Sequence, residues 1–407
     1  MDAFGAGIGR RTTLASSPLD LPAVLVRGGT SKCWIFDDLL VESLAIDRDL
    51  LLENAFGSGD SRQIDGIGGA TSTTSKAALV RPSTEAGIDV DYLFAQVGIA
   101  DRVVEWGSNC GNCASAVGLY AVQQGLVRIT GERTVVRLRN TNTGTIVDTT
   151  VATVGGIAGN TGEATVPGVD FPGVSVDLTF LAPFAQGGAL VFPTGSPLDH
   201  VAIDATPAAE VTVIDAGAKA LLIDAAALGM TANETLDEFR AAVPLLTRFR
   251  ARGAVIHGII AEGEPAPSAV PKTGIIGPPR DYVTADGTFV SANEFDLGAR
   301  LLSMGAPHPA IGLTSAVALA VAAATPGTIV NRFARPGVHE LRVGTLSGIV
   351  EVAWFTSADG AVSGVTLHRA ARRLATATLH IGTDREPRRF AHSRDRGTSR
   401  VAEQAMA

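Results

Sequence analysis

Two stretches of small apolar residues, separated by roughly 200 positions, constrain the fold of this chain more than any other feature. The first covers residues 112–124 and the second covers residues 314–324. In both stretches, polar residues occupy only a narrow stripe at helical spacing, which predicts two helices that are buried on almost all sides. Gly125 is placed to end the first helix in a left-handed turn. Each helix therefore needs a shell of other structure around it.

Short strand patterns flank both predicted helices. We predict strands within 22–36 (around a glycine turn) and at 77–81, 90–97, 102–106, 211–216, 255–260 and 272–276, a helix at 38–56, and a strand, turn and helix within 222–242. This pattern predicts an α+β fold with two similar halves, each a set of antiparallel strands around one central helix. The predicted domains are 20–190 and 191–383, with flexible termini at 1–19 and 384–407, and the last strand could return to the first domain.

Composition limits the classes of function. The chain has 407 residues, of which 46% are hydrophobic and 18% are charged, and its net charge of −8 argues against nucleic acid as the main partner. No apolar segment follows Arg10 and Arg11 as in a signal peptide, and no run approaches the roughly 20 apolar residues of a membrane span. Three cysteines do not make a disulfide framework. We therefore expect a soluble, cytoplasmic protein with neither a nucleic-acid nor a membrane partner.

Lysine is scarce in this sequence. Only four of the 33 basic residues are lysines, namely Lys32, Lys76, Lys219 and Lys272. Arginine replaces lysine at most surface charges, but it cannot replace an amine that must lose its proton. The scarcity therefore directs the search for catalytic amines to these four positions. Of them, Lys219 is expected to be structural, whereas Lys32 and Lys272 lie beside turns and either bind carboxylates or stay on the surface.

Lys76 is the strongest candidate for a general base. It follows the hydroxyl-rich segment TSTTS, which ends in Ser75, and it begins a predicted apolar strand. A partly apolar, glycine-lined pocket would lower the pKa of its amine toward the working range of a base. The S-x-x-K pattern of β-lactamases does not fit, because Thr73 stands three residues earlier. The alternatives are a solvated lysine at a strand end and a lysine carrying a covalent cofactor, although no phosphate cradle lies beside it.

Cys110 stands at the predicted start of the first buried helix. The N–H groups and the dipole of a helix N-terminus would lower the pKa of its thiol, and the same N–H groups can hold a carboxylate. Three alternatives stay open. Cys110 could be a buried structural thiol, it could form a dithiol oxidoreductase motif with Cys113, or it could ligate zinc together with Cys33, for which soft ligands are too few.

The motifs together resemble the 2-methylaconitate cis–trans isomerase (PrpF) family, which includes 4-oxalomesaconate tautomerases and methylitaconate Δ-isomerases. The resemblance spans most of the chain and depends on RGGTSK (27–32), RQIDGIGGATSTTSK (62–76), DVDYLFAQV (89–97), NCGN (109–112), VFPTGSP (191–197), VPK (270–272), SMGAPHPAIGLTSAV (303–317) and RAARRL (369–374). The chain departs from the family pattern at Cys33, Cys113 and the segments 215–219 and 344–348, which leaves the substrate open.

The resemblance implies both a fold and a site. The fold would be that of diaminopimelate epimerase, with two barrel-like domains, each around a central helix, that meet at the active site. The family needs no cofactor, and no metal is expected. By motif, Lys76 and Cys110 would be catalytic. The implied substrate-binding residues are Thr30, Ser31, Ser75, Gly111, Asn112, Lys272, His308, Thr314 and Ser315.

The expected activity is a 1,3-allylic proton shift or a cis–trans isomerisation of a small unsaturated di- or tricarboxylate. Lys76 would move the proton, and Cys110 would be either a second acid/base or part of the binding wall. A racemase or epimerase of the same superfamily would need a second thiol where Thr314 and Ser315 stand. The sequence also leaves open a carboxylate-binding protein without catalysis and a thiol oxidoreductase, and a homodimer is an open expectation.

Overall fold

The structure, a computed structural model, describes residues 19–106, 110–183, 190–203, 207–268, 270–303 and 305–383. Its strands are β1 (Leu19–Gly28), β2 (Ser31–Asp37), β3 (Lys76–Pro82), β4 (Val90–Val97), β5 (Val104–Glu105), β6 (Arg133–Asn140), β7 (Ile146–Ala152), β8 (Ala164–Val166), β9 (Val169–Leu181), β10 (Asp199–Val201), β11 (Ala209–Ala216), β12 (Ala218–Asp224), β13 (Lys272–Gly277), β14 (Tyr282–Val283), β15 (Phe289–Val290), β16 (Leu297–Ser303), β17 (Ala306–Pro307), β18 (Glu340–Thr345), β19 (Gly348–Thr356) and β20 (Val362–Ile381). Its helices are α1 (Asp38–Ser43), α2 (Arg48–Phe56), α3 (Gly111–Gln123), α4 (Leu236–Ile256) and α5 (Leu313–Ala324). The predominance of strands with few helices confirms the predicted α+β class.

Eight strands close into a ring around α3. In order around the ring, β1, β2, β3, β4, β6, β7, β9 and β20 pair with their neighbours, and β20 pairs back to β1. Two of these pairings, β2 with β3 and β4 with β6, are parallel, and the others are antiparallel. Since α3 contacts every one of the eight strands, the helix runs through the middle of a closed barrel.

Small side chains let α3 fit inside this barrel. A Cβ atom on Gly118 would lie 2.4 Å from the Thr149 hydroxyl of β7, so the helix approaches the strand too closely for any larger residue. Ala114, Val117 and Ala121 are completely buried. The predicted first buried helix and its ending at Gly125, whose φ is 71°, are confirmed.

A second group of strands surrounds α5. β10, β11, β12, β13, β16, β18 and β19 pair in that order, and β19 continues onto β20. α5 contacts β11, β12, β18, β19 and β20, while α4 packs outside against β12, β13, β16 and β17. The predicted second buried helix is therefore confirmed at Leu313–Ala324.

β20 joins the two groups of strands. Its first part pairs with β19 and with β9, and its last part pairs with β1 of the barrel. Consequently, β20 contacts both α3 and α5. The sheet is thus continuous through one strand, and the division into domains 20–190 and 191–383 stays a prediction.

Three local predictions were wrong. The single helix 38–56 is two helices, because Ala45 adopts a φ of 52° and Asp47 caps the second helix. The strand at 102–106 shrinks to Val104–Glu105. The strand at 255–260 is instead the end of α4 and the turn after it, where Gly258 has a φ of 65°.

The predicted flexible termini lie outside the described residues, apart from Leu19, which begins β1. None of the described helices has the length and apolar character needed to cross a membrane.

Candidate active site

The N-termini of the two central helices meet. A Cβ atom on Gly111, the first residue of α3, would lie 2.5 Å from Cδ1 of Leu313, the first residue of α5. Cys110 and Gly312 are the N-cap residues, and neither supplies a side-chain capping hydrogen bond. The first N–H groups of a helix have no partner within it, and together with the helix dipole they attract anions. We call this place the helix junction.

Lys76 is buried in the barrel at the start of β3. Its residue is 9% exposed, and its Nζ donates a hydrogen bond of 2.6 Å to Oε1 of Gln96. The same Nζ lies 5.2 Å from the ring centroid of Phe94, within the range of a cation–π contact. No described carboxylate pairs with this ammonium. A buried lysine without a counterion is costly for stability, which indicates a role other than structure.

A short hydrogen-bond network connects Lys76 to the loop that precedes it. The Ser75 hydroxyl, which is fully buried, donates to Oε1 of Gln63 at 2.6 Å. Nε2 of Gln96 donates to the carbonyl of Ser75 at 3.0 Å, so Gln96 links this loop to the lysine. Ser75 thus holds the loop in place. Sequence reasoning did not single out Gln96 or Phe94, although both lie in the segment 89–97 that carries the family resemblance.

Three free thiols lie near enough to Lys76 to act on its charge. Cys33 and Cys113 are buried, whereas Cys110 is partly exposed. The contact of Cys110 with the Cys113 thiol, followed by burial, holds the pKa of Cys110 well above its ordinary value of 9.0. The expectation that the helix N-terminus would lower this pKa was therefore wrong. Among the described residues, no group of three or more His, Cys, Asp or Glu side chains is arranged to hold a metal ion.

The pKa of Lys76 also differs from the expectation. Burial disfavours the charged ammonium, but charge on Cys110, Cys113 and Cys33 favours it more, so the pKa of Lys76 lies above its ordinary value of 10.5. The lowered pKa predicted from an apolar pocket was wrong, because the sequence does not show that three thiols converge on the amine. At neutral pH both Lys76 and Cys110 hold their protons. Whichever of the two residues acts as the base must first lose its own proton.

The predicted turn at Thr30 and Ser31 packs onto the first turn of α3. Nδ2 of Asn112 donates to Oγ1 of Thr30 at 3.0 Å and to Oγ of Ser31 at 3.3 Å. A Cβ atom on Gly28 would lie 2.0 Å from the Asn112 carbonyl, so the close approach of turn and helix requires glycine. The structure therefore brings Thr30, Ser31, Gly111 and Asn112 together at the helix junction.

His308 and Lys272 approach the junction from the second group of strands. Nδ1 of His308 accepts the N–H of Ala310 at 3.1 Å, so the neutral ring carries its proton on Nε2. That Nε2 lies 4.0 Å from the position of a Cβ atom on Gly312. Burial, with help from Lys272, lowers the pKa of His308 to about 4, and burial also lowers the pKa of Lys272. His308 is thus a neutral hydrogen-bond donor beside the start of α5.

Thr314 and Ser315 complete the predicted set in the first turn of α5. Thr314 is half-buried and Ser315 is 2% exposed. The hydroxyl of Ser315 lies 3.4 Å from the position of a Cβ atom on Gly312. All the predicted site residues therefore lie on elements that converge at the helix junction, with Ser75 behind Lys76.

The low pKa of His308 predicts a pH-dependent stability. The unfolded chain takes up a proton at His308 near pH 6.5, whereas the folded protein does so only near pH 4. Stability is therefore lost as pH falls through this window, because the unfolded state then binds more protons. Between pH 7 and about pH 4.5, the free energy of unfolding should fall by about 2 kcal/mol less in His308→Gln than in the wild type. Urea unfolding at the two pH values measures this difference. Equal losses in both proteins would contradict the assignment.

The chain matches known proteins over almost its whole described length. The model of the PrpF protein family matches residues 19–382. A 2-methyl-aconitate isomerase from Shewanella oneidensis is 38% identical over 353 residues, which are 82% of this chain and 89% of the relative. A 4-oxalomesaconate tautomerase from Pseudomonas putida is 34% identical over 369 residues, covering 89% of this chain and 97% of the relative.

A solved structure agrees with these sequence matches. The crystal structure of a methylitaconate-delta-isomerase superimposes with a TM-score of 0.78 at 31% identity, covering 90% of this chain and 97% of that protein. The named relatives are isomerases or a tautomerase. The chain therefore belongs to the PrpF family and is an isomerase or tautomerase of that family.

Proposed function

We propose that the protein catalyses a cofactor-independent 1,3-allylic proton shift, or a cis–trans isomerisation, of an unsaturated di- or tricarboxylate. The observation that carries this proposal is the buried Lys76 ammonium, without a described acidic partner, placed with the Cys110 thiol at the start of α3. The relatives' names support the class, since they specify 2-methyl-aconitate, 4-oxalomesaconate and methylitaconate. They do not choose among these acids for the present chain.

Binding of the substrate carboxylates would make the proton on the neighbouring carbon easier to remove. The uncapped N–H groups of α3 and α5, the Nε2–H of His308 and the ammonium of Lys272 are all donors at the helix junction. Donors aimed at a carboxylate stabilise the extra charge that it receives when a proton leaves a conjugated carbon. The intermediate is a dienolate whose charge spreads across the double bond into the carboxylate.

Lys76 would move the proton. In its neutral form the amine removes a proton from the carbon next to the double bond, becomes an ammonium and pairs with the dienolate. It then returns the proton to the carbon two atoms away, or to the original carbon after rotation. Cys110 lies beside the amine and can supply or accept a second proton. Proposed roles for Thr30, Ser31 and Asn112 are to hold the first turn of α3 in place.

The raised pKa values predict an alkaline pH optimum. The base must be deprotonated in the free enzyme, and the pKa values of both Lys76 and Cys110 lie above their ordinary values. His308 stays neutral above about pH 4, and the substrate carboxylates stay ionised. Neither group therefore changes kcat/KM between pH 7 and pH 9. We expect kcat/KM to rise continuously from pH 7 to pH 9 in steady-state assays. A profile that is flat or that falls over this range would contradict the assignment of the base.

A substrate panel tests the proposed function. Purified protein is incubated separately with 2-methylaconitate, 4-oxalomesaconate, methylitaconate and trans-aconitate, and the products are separated by chromatography. We expect an isomer of at least one acid to form without added metal, nucleotide or redox reagent. The absence of any isomer from all four acids would contradict the proposal.

We also propose that 20–190 and 191–383 behave as two domains that meet at this site.

A further inference from the structure

One buried arginine, Arg369 on β20, has no role in the chemistry described above. Its residue is 9% exposed, and it lies on the same face of the strand as the buried residues Val365, Leu367 and Ala371. β20 contacts both α3 and α5. Arg369 therefore lies on a strand that both central helices contact, on its buried face.

Two observations place Arg369 beside the helix junction. Its Cδ lies 3.6 Å from the position of a Cβ atom on Gly29, in the turn that holds Asn112. Its charge also acts on His308, where it helps to lower the pKa of the imidazole. Arg369 thus lies between the Thr30 turn and the His308 side of the site.

The guanidinium of Arg369 is poorly satisfied within the described residues. Its Nη1 donates to the carbonyl of His368 at 2.7 Å, and no described carboxylate pairs with it. Its guanidinium makes no other hydrogen bond within the described residues, and a small part of the residue stays accessible. Burial lowers the pKa of Arg369 to about 10, which leaves the group charged at neutral pH.

Arg27, another buried arginine in the same barrel, makes the hydrogen bonds expected of a structural residue. Arg27 donates four hydrogen bonds, to the carbonyls of Gly29, Ala370, Phe171 and Pro172. Those bonds connect three separate segments of the chain. Arg369 makes no such set of connections, so its buried charge is not explained by the fold.

We propose that Arg369 binds a carboxylate of the substrate that lies away from the reacting carbons, and that it thereby selects tricarboxylates over dicarboxylates. The inference rests on the proposed function and deepens it. A planar guanidinium with free N–H groups matches a carboxylate with two parallel hydrogen bonds. Lys272 and the N–H groups at the starts of α3 and α5 can hold two carboxylates near the reacting carbons, so Arg369, which pairs with no described carboxylate, adds a position for a third.

Binding measurements with two acids test this proposal. Calorimetry measures the Kd of trans-aconitate, a tricarboxylate, and of methylitaconate, a dicarboxylate, for the wild type, Arg369→Gln and Arg369→Lys. We expect Arg369→Gln to weaken trans-aconitate binding by roughly 100-fold and methylitaconate binding by less than about threefold. Arg369→Lys should recover only part of the loss, because a lysine lacks the paired donors. In turnover, the loss should appear in KM for a tricarboxylate rather than in kcat.

A matched control separates binding from folding. Arg372, three residues further along β20, stacks on Phe171 with 5.2 Å between its Cζ and the ring centroid, and Arg372→Gln should change neither Kd. Arg369→Gln should melt at the same temperature as the wild type or higher, since it removes a buried unpaired charge. Equal weakening of both acids, or a lowered melting temperature with unchanged Kd values, would overturn the proposal. A wild type that binds neither acid would instead count against the proposed function itself.

Discussion

Replacing Lys76 with methionine is expected to lower kcat/KM by about 10³-fold or more, the scale of a lost general base, while the protein keeps its fold. Methionine fills similar volume between Gln96 and Phe94 without carrying a charge. At neutral pH Cys110 and Cys113 keep their protons and supply no negative charge, so the buried ammonium has no described counter-charge and its removal should leave the melting temperature unchanged or raise it. Steady-state kinetics and thermal unfolding of the same preparation measure both effects.

The variant Lys76→Arg distinguishes the loss of a base from the loss of a positive charge. Arginine keeps the positive charge but does not lose a proton in proteins, so this variant should be as inactive as Lys76→Met. Lys219→Met is the matched control, because Lys219 forms a half-exposed ion pair of 2.8 Å with Asp215. That control should retain wild-type activity. If Lys76→Arg kept more than about a tenth of the activity, charge rather than proton transfer would be the contribution of Lys76.

The second large effect is expected at Cys110. Cys110→Ala should lower kcat/KM by about 10²-fold, because it removes the partly exposed thiol that lies beside Lys76 at the start of α3. The small side chain is tolerated at this N-cap, since Cys110 makes no capping hydrogen bond. The fold should therefore persist, and activity assays with circular dichroism measure the two properties separately.

Cys113→Ala is the matched control for Cys110. Cys113 is completely buried in the core of the barrel, so its replacement should cost about 1 kcal/mol of stability. Because its thiol raises the pKa of Cys110, the variant should shift the pH profile to lower pH but keep most of the maximal kcat/KM. This pair of variants also tests the dithiol hypothesis. A thiol oxidoreductase needs both cysteines and would lose its activity equally in both variants, together with a Cys110–Cys113 disulfide that cycles with reductant. Equal loss of isomerisation in both variants would contradict a special role for Cys110.

Patterns local in the sequence predicted the two buried helices and a minority of the strands, among them β1–β4, β11 and β13. The small-residue helices α3 and α5 were predicted almost to the residue, because only buried helices have so narrow a polar face. α4 was the main failure. Val255 and Ile256 resemble a strand in isolation, but they form the last turn of a helix that Thr235 and Glu238 cap about 20 residues earlier. Long helices with many polar residues depend on their tertiary packing, which the local pattern does not show.

Long-range contacts account for what sequence reasoning missed at the site. β20 closes the barrel against β1, so Arg27 contacts the carbonyl of Ala370, 343 residues away. No local pattern indicates that Arg369 would thereby reach the Gly29 turn. The same is true of the pKa of Lys76, since Cys33 comes from β2 and Cys113 from α3. The resemblance to a family supplied residues for the site, whereas their electrostatics required the packed structure.

Proton NMR in D2O tests the central claim most directly. Wild-type protein and Lys76→Met are each mixed with 2-methylaconitate, 4-oxalomesaconate, methylitaconate and trans-aconitate, and the allylic and vinylic signals are followed with time. The proposed mechanism predicts that at least one acid isomerises with migration or deuterium exchange of a single allylic proton, and that Lys76→Met abolishes both changes. Exchange that proceeds equally in Lys76→Met, or isomerisation in which no allylic proton moves or exchanges, would contradict proton transfer by Lys76.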